Sequence, residues 1–211
     1  MEVESSPISE DRFGQELDRK MWITKGARFN AHQRLMSKHI WSIATISYLT
    51  ILVIITTLIQ YIPAISLTAQ QNDVISISAI ALALFILILS LLEASKSHQM
   101  KAMELHNCAR DVSTLYNRLR HILSNPYEQD GVGVSKQLTE IASNYDEIMN
   151  RCQENHDVID YDIFRLQHKD DFHLGLLECT RIRVENIKTF IPYLALILIP
   201  PIAIIILIVL L

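Results

Sequence analysis

The chain has 211 residues, of which 50% are hydrophobic and 20% charged, and its mean hydropathy is +0.21. That balance is too apolar for an ordinary soluble domain, and the length suits one modest domain plus membrane segments. A net charge of −4 leaves no global basic footprint for nucleic acid, so direct nucleic-acid binding is not expected.

The first twenty residues, MEVESSPISEDRFGQELDRK, are acidic and polar and lack the apolar core of a signal peptide. Residues 1–9, with Ser5, Ser6 and Pro7, read as disordered. Residues 10–39 read as a cytoplasmic helix. Phe13, Leu17, Met21, Thr24, Arg28, Ala31 and Leu35 recur at steps of three and four, and no proline intervenes between Glu10 and Pro63. Gly14 and Gly26 weaken the helix signal. The helix either runs into the next segment or bends near a membrane surface. Arg19, Lys20, Lys25, Arg28, Arg34 and Lys38 have no acidic residue among them. They suit anionic lipid head groups at roughly 1 kcal/mol each, they set topology, or both.

Residues 40–62, IWSIATISYLTILVIITTLIQYI, and 74–92, VISISAIALALFILILSLL, carry no charged side chain. A bilayer core of about 30 Å needs about 20 such residues as helix. The two stretches read as a transmembrane helical hairpin closed by a short extracytoplasmic turn at 63–73. That turn has no Lys or Arg, whereas Lys96, Lys101 and Arg110 follow the second span. The positive-inside rule therefore places the N-terminus and residues 93–189 in the cytoplasm.

In the first span Ser42, Thr45, Thr56, Thr57 and Gln60 fall on one helical face, with Leu49 and Val53 between them. Two readings are open. The face lines a water path with an apolar constriction, or the hydroxyls bond their own backbone or a neighbouring helix. Ser76, Ala79, Ala83 and Ser90 form a small-residue stripe on the second span that favours close helix packing. Neither span holds an Asp, Glu, His, Lys or Arg, which argues against a proton relay within the bilayer.

After Leu92 no glycine or proline interrupts the chain until Pro126. Leu105, Cys108, Val112, Leu115, Leu119 and Ile122 keep a heptad rhythm. The second span and this segment together predict one rod of about 75 Å. Asn125-Pro126 and Gly131-Val132-Gly133 predict a break, and a second amphipathic helix from Ser135 carries Leu138, Ile141, Tyr145, Ile148 and Cys152. The two stripes suggest an antiparallel, coiled-coil-like pair on which the N-terminal helix or a second copy packs. Cys108, Cys152 and Cys179 are odd in number and lack CxxC spacing. They argue against a disulfide framework or a zinc knuckle, and fit a reducing compartment.

The string Asn155-His156-Asp157-Val158-Ile159-Asp160-Tyr161-Asp162 is the most unusual polar stretch. It reads first as a turn whose aspartates cap helices. His156, Asp157, Asp160 and Tyr161 are also candidates for signal coupling or partner contact. Metal chemistry on His156, Asp157 and Asp160 would need further His and Asp ligands. Phe172 to Lys188 reads as a helix of mixed polarity. Residues 190–211, FIPYLALILIPPIAIIILIVLL, form a third span in which Pro192 and Pro200-Pro201 predict a kink or break. A re-entrant hairpin is the alternative. No phosphate loop, nucleophile elbow, HExxH motif or His/Cys cluster is present. An enzyme is not expected, and neither a cofactor nor a metal. The expected fold is an all-α membrane protein: a transmembrane hairpin continuing into a cytoplasmic helical region, plus a C-terminal third transmembrane helix.

Ala27-Arg28-Phe29-Asn30-Ala31-His32, Leu92-Glu93-Ala94-Ser95-Lys96, Leu105-His106-Asn107-Cys108-Ala109-Arg110 with Leu115-Tyr116, and Glu154-Asn155-His156-Asp157 with Ile159-Asp160-Tyr161 occur in that order. Over about residues 20–190 this ordered set resembles the SLATT family, the SMODS and SLOG-associating two-transmembrane effectors of bacterial conflict systems. It is most similar to the reverse-transcriptase-associated subfamily. The protein is expected in the bacterial inner membrane, working as a homo-oligomer. The resemblance implies a pore or membrane perturbation when a partner senses phage infection. That partner would be a reverse transcriptase or a synthase or sensor of nucleotide second messengers. A membrane-anchored scaffold without a pore is the alternative. The third apolar run departs from the two-span pattern.

Overall fold

The structure is a computed structural model and describes residues 7–62, 67–124 and 131–210, with side chains over 12–62, 67–124 and 133–206. Every regular element among these residues is an α-helix: α1 Pro7–Ile59, α2 Ala69–Ser95, α3 His98–Ser124, α4 Gly131–Arg151, α5 Val158–Gln167, α6 Leu176–Lys188 and α7 Ile191–Leu210. Residues 1–6, 63–66, 125–130 and 211 lie outside the described residues, and with them part of the expected turn and the expected break at Asn125-Pro126. The chain divides into two compact units, one of residues 1–35 and 99–183, the other of 36–98 and 184–211.

The first unit is built on three helices. The apolar stripe of α1 supplies Leu17 and Met21, that of α3 supplies Val112, Leu115, Leu119 and Ile122, and that of α4 supplies Leu138, Ile141 and Tyr145. Full burial of a Leu, Ile or Met side chain contributes about 1.5–3 kcal/mol, so these stripes dominate the unit's cohesion. α3 and α4 run antiparallel: Arg118 pairs with Glu140, Asp111 with Arg151, and Glu104 with the backbone of Gln153. α1 lies antiparallel to α3, with Asp18 near Arg120, Lys25 over the Tyr116 ring and His32 on the Ala102 carbonyl. The expected antiparallel pair with the N-terminal helix packed on it is present.

α5 seats Phe164 against α1 at Gly26. A Cβ on Gly26 would collide with the Phe164 ring, so the glycine serves close helix approach. Trp22 closes the cluster edge-on to Phe164 at 4.8 Å and stacked on Phe172 at 6.0 Å.

The second unit holds the apolar part of α1, α2 and α7. α1 and α2 contain segments long and apolar enough to cross a membrane, and α6 with α7 forms a further, bent apolar pair. α2 begins at Ala69, five residues before the apolar run at 74–92, because Thr68 caps it. Thr68 Oγ1 accepts from Gln71 N at 3.2 Å, and Gln71 Oε1 accepts from Thr68 N at 3.1 Å.

Several expectations are corrected. The rod through residues 74–125 is interrupted: α2 ends at Ser95 and α3 begins at His98, with Ser97 in the left-handed region at φ 51°. Ser95 Oγ bonds the Leu92 carbonyl, the local competition that lets a serine-rich stretch leave a helix without glycine or proline. Residues 131–133 do not break the chain but open α4, since two glycines in a first turn cost little packing. Pro7–Ser9 already belong to α1, which continues without interruption to Ile59. α7 also remains one helix through Pro200 and Pro201. Pro192 sits in its first turn, where its missing N–H would be unpaired anyway. Finally, Cys108 and Cys152 form a disulfide, with Cα atoms 6.2 Å apart, and Cys179 is free. The cysteine count and spacing pointed the other way because they ignore register: antiparallel packing brings the two stripe positions together.

Candidate functional site

Two polar groupings emerge, one in each unit. In the second unit Ser42, Thr45 and Thr56 are buried and Thr57 and Gln60 half-buried, whereas Ile43, Ile51, Ile54, Ile55 and Leu58 are exposed. The five polar residues predicted to share a face thus lie on the protein-facing side of α1, with Leu49 fully buried among them. Thr56 Oγ1 donates to the Leu52 carbonyl at 2.7 Å and Thr57 Oγ1 to the Val53 carbonyl at 2.6 Å. Thr45 Oγ1 and Gln60 Nε2 are buried with no hydrogen-bond partner in the described structure. Gln60 Oε1 accepts from Ser76 Oγ at 3.2 Å. A cavity of about 340 Å³ lies between the helices, lined by Val53, Thr57, Gln60, Ser76, Ala79 and Ala83. Small side chains on α2 leave this space, since Ala79 and Ala83 fill little volume.

At the other end of the same helices stands Glu93, its side chain only 10% exposed. It takes a hydrogen bond from Ser42, an ion pair from Lys96 and a bond from Tyr193 Oη at 3.4 Å. One carboxylate therefore ties α1, α2 and α7 together. The sequence names it only as part of the Leu92–Lys96 motif, without a role. Its signal was position: an acid directly after an uncharged span, followed three residues later by a lysine.

In the first unit the string 155–162 is organised by Arg34 of α1. Arg34 Nε donates to Asp160 Oδ1 at 2.7 Å and Nη2 to Asp160 Oδ2 at 2.8 Å, a two-pronged pairing. Nη2 also meets Asp157 Oδ2 at 2.6 Å. Asp160 is fully buried, and these contacts hold the Arg34 guanidinium charged, above its ordinary range, against the desolvation that burial imposes. Asp160 Oδ2 further accepts from Asp157 N at 2.9 Å at the start of α5. Asn30 Nδ2 adds bonds to the Asp160 carbonyl and to Gln167 Oε1, both at 3.2 Å.

His156 lies half-buried with Nδ1 unpartnered, and desolvation with the nearby Arg28 charge pulls its pKa below 6.5. Tyr161 faces Phe172 edge-on at 6.2 Å, with the Arg165 guanidinium 5.9 Å from its ring. The structure thus gathers Asp157 and Asp160 on one cation. Tyr161 joins an aromatic cluster, and His156 lies nearer Arg28. Arg28 and Arg34 were read as charges that suit anionic lipid head groups, set topology, or both. Arg28 nevertheless stands on the apolar stripe of α1, which marks a basic side chain turned inward.

These features define an all-helical protein with two helices long and apolar enough to cross a membrane and a helical unit that holds the buried Arg34–Asp160 pair. The chain belongs to the SMODS and SLOG-associating 2TM effector domain family 5, which matches residues 10–207. The match includes nearly all of α7, so the third apolar helix is part of the domain. No curated protein and no solved structure matches the chain.

Proposed function

We propose that this chain is a membrane effector of a bacterial anti-phage or conflict system, opening a leak across the inner membrane when a partner signals infection. The observation that carries the reading is the buried polar face of α1. Thr45 Oγ1, in the apolar part of α1, and Gln60 Nε2, just past its end, are unpartnered in an otherwise largely apolar stretch. An unsatisfied polar group in hydrocarbon costs several kcal/mol, a cost that water or a neighbouring copy removes. A single hairpin encloses no water path, so the conducting form is a homo-oligomer. In it the Ser42, Thr45, Thr56, Thr57 and Gln60 faces surround water and Leu49 forms the apolar constriction. The charge bias places the N-terminus and residues 93–189 in the cytoplasm. There the Arg34, Asp157 and Asp160 cluster, with His156 and Tyr161, receives the signal. The partner is a SMODS-type nucleotide second-messenger synthase, a SLOG-type sensor or a reverse transcriptase.

The test is flux from liposomes and membrane potential in cells carrying the chain with its neighbouring genes during phage challenge. Wild type should depolarise the membrane, and Thr45→Val with Gln60→Leu should abolish conductance while preserving expression and insertion. Protection that persists with unchanged potential would sink the pore. A second reading is a membrane-anchored scaffold that recruits a soluble partner. It is favoured by Thr56 and Thr57, whose hydroxyls bond their own backbone and so need no water. Full protection by a Thr56→Leu, Thr57→Leu, Gln60→Leu variant would establish the scaffold.

A further inference from the structure

Arg28 is a buried cation without an ion-pair partner: the Glu104 carboxylate acts on it only through space. It is 5% exposed, and among the described residues no carboxylate lies within ion-pair distance of it. Its Nη1 points at Cys108 Sγ from 2.8 Å and at the Glu154 carbonyl from 3.3 Å, its Nη2 at Met149 Sδ from 3.6 Å, and its Nε has no partner. Burying a guanidinium among such weak acceptors is costly, and a full negative charge at the Cys108 sulfur would offset that cost. Cys108 is bonded to Cys152, so the sulfur can carry that charge only when the disulfide opens.

The two sulfurs differ in access. Cys108 sits inside α3 and is 3% exposed. Cys152 follows the last residue of α4 and is half-buried. The segment beyond it is held to α3 independently of the disulfide: Glu104 accepts from Gln153 N at 2.8 Å and Glu154 N at 3.1 Å, and Lys101 pairs with Glu154 at 3.2 Å.

We propose that Cys108 and Cys152 form a reversible thiol–disulfide site, with Arg28 as the residue that stabilises the Cys108 thiolate, taking dithiols as reductant and small disulfides as oxidant. In reduction a thiolate of the dithiol attacks Cys152 Sγ, the accessible sulfur. The Cys108–Cys152 bond breaks, and its electron pair leaves on Cys108 as a thiolate beside Arg28. The second thiol of the reductant then displaces Cys152 from the mixed disulfide. Two electrons pass to the protein and the reductant ends as a disulfide. In oxidation Cys152 thiolate attacks a small disulfide such as oxidised glutathione, releasing one glutathione thiolate. Cys108 thiolate closes the bond and releases the second. A leaving thiol of low pKa departs faster, so Arg28 accelerates reduction. The contacts of Glu104 and Lys101 keep the opened sulfurs close enough to rejoin. The site does not rest on the pore.

The full chain with Cys179→Ser, in detergent micelles, is equilibrated in glutathione buffers of graded ratio, quenched in acid and counted for free thiols by maleimide mass shift. Two thiols should appear in reducing buffer and none in oxidising buffer, without denaturant and through repeated cycles. The glutathione adduct trapped during partial reduction should map to Cys152 by peptide mass. Arg28→Gln should slow reduction by dithiothreitol about tenfold, with Arg28→Lys close to wild type. In a Cys152→Ser background, Arg28→Gln should move the pH profile of Cys108 alkylation upward. A bond that opens only on unfolding, thiols that label in every buffer, or an adduct on Cys108 would each overturn the proposal. The adduct position needs no Arg28 variant, so it decides the matter even if Arg28→Gln fails to fold.

Discussion

Asp160→Asn probes the Arg34 cluster while leaving side-chain volume almost unchanged. Arg34 has a 6% exposed side chain and Asp160 is fully buried, so their two bonds of 2.7 and 2.8 Å form away from water. Removing one partner of a buried pair costs about 3–5 kcal/mol, mostly because the other charge is stranded. Two features reduce the loss. Asp157 still reaches Arg34 at 2.6 Å, although its side chain is 68% exposed and therefore screened. The Asn carbonyl can also accept one of the three bonds that Asp160 now takes from Arg34 and Asp157 N. The expected loss is about 2–4 kcal/mol, a large share of the 5–15 kcal/mol typical of a domain. The assay is urea unfolding in micelles followed by Trp22 fluorescence in a Trp41→Phe background, since these are the two tryptophans of the chain. Arg34→Met should cost at least as much. The double variant Arg34→Met, Asp160→Leu should cost clearly less than the sum of its singles, because neither charge is then stranded. A loss under about 0.5 kcal/mol for Asp160→Asn, or strict additivity, would refute the reasoning.

Gly26→Ala should destabilise the first unit by about 1–3 kcal/mol, measured in the same unfolding assay, because its Cβ meets the Phe164 ring; adding Phe164→Leu should recover part of the loss. Opening the Cys108–Cys152 bond, whose residues are 44 apart in sequence, should lower stability by about 4 kcal/mol through chain entropy, read as a lower urea midpoint with dithiothreitol. His156 has its folded pKa below its ordinary 6.5, so the unfolded chain binds more protons between those values and stability rises with pH there. The stability is fully present above that window and is lost as pH falls below 6.5. His156→Gln should flatten this part of the profile, and an unchanged slope would show that His156 does not contribute.

The apolar runs at 40–62 and 74–92 and the stripes Leu105–Ile122 and Leu138–Cys152 were legible because burial leaves a period in the sequence. So were the face of α1 that turns inward and the helix-capping role of the 155–162 string, which rest on local geometry. The interruption at Lys96-Ser97 was not, because serines offer the backbone an alternative without forbidding a helix. The start of α2 was legible in principle, in the capping pair Thr68 and Gln71.

What the sequence by itself determined is the all-helical class, the uncharged spans and the identity of the packing stripes, all consequences of composition read at 3.6 residues per turn. What only the tertiary structure decided is which distant side chains meet. Arg34 with Asp160 is 126 positions apart, and Arg28 with Cys108 is 80. The antiparallel register of α3 and α4 alone sets Cys108 against Cys152. Such pairings depend on how helices are set against one another in space. A linear pattern shows which face of a helix is buried, but not what it is buried against.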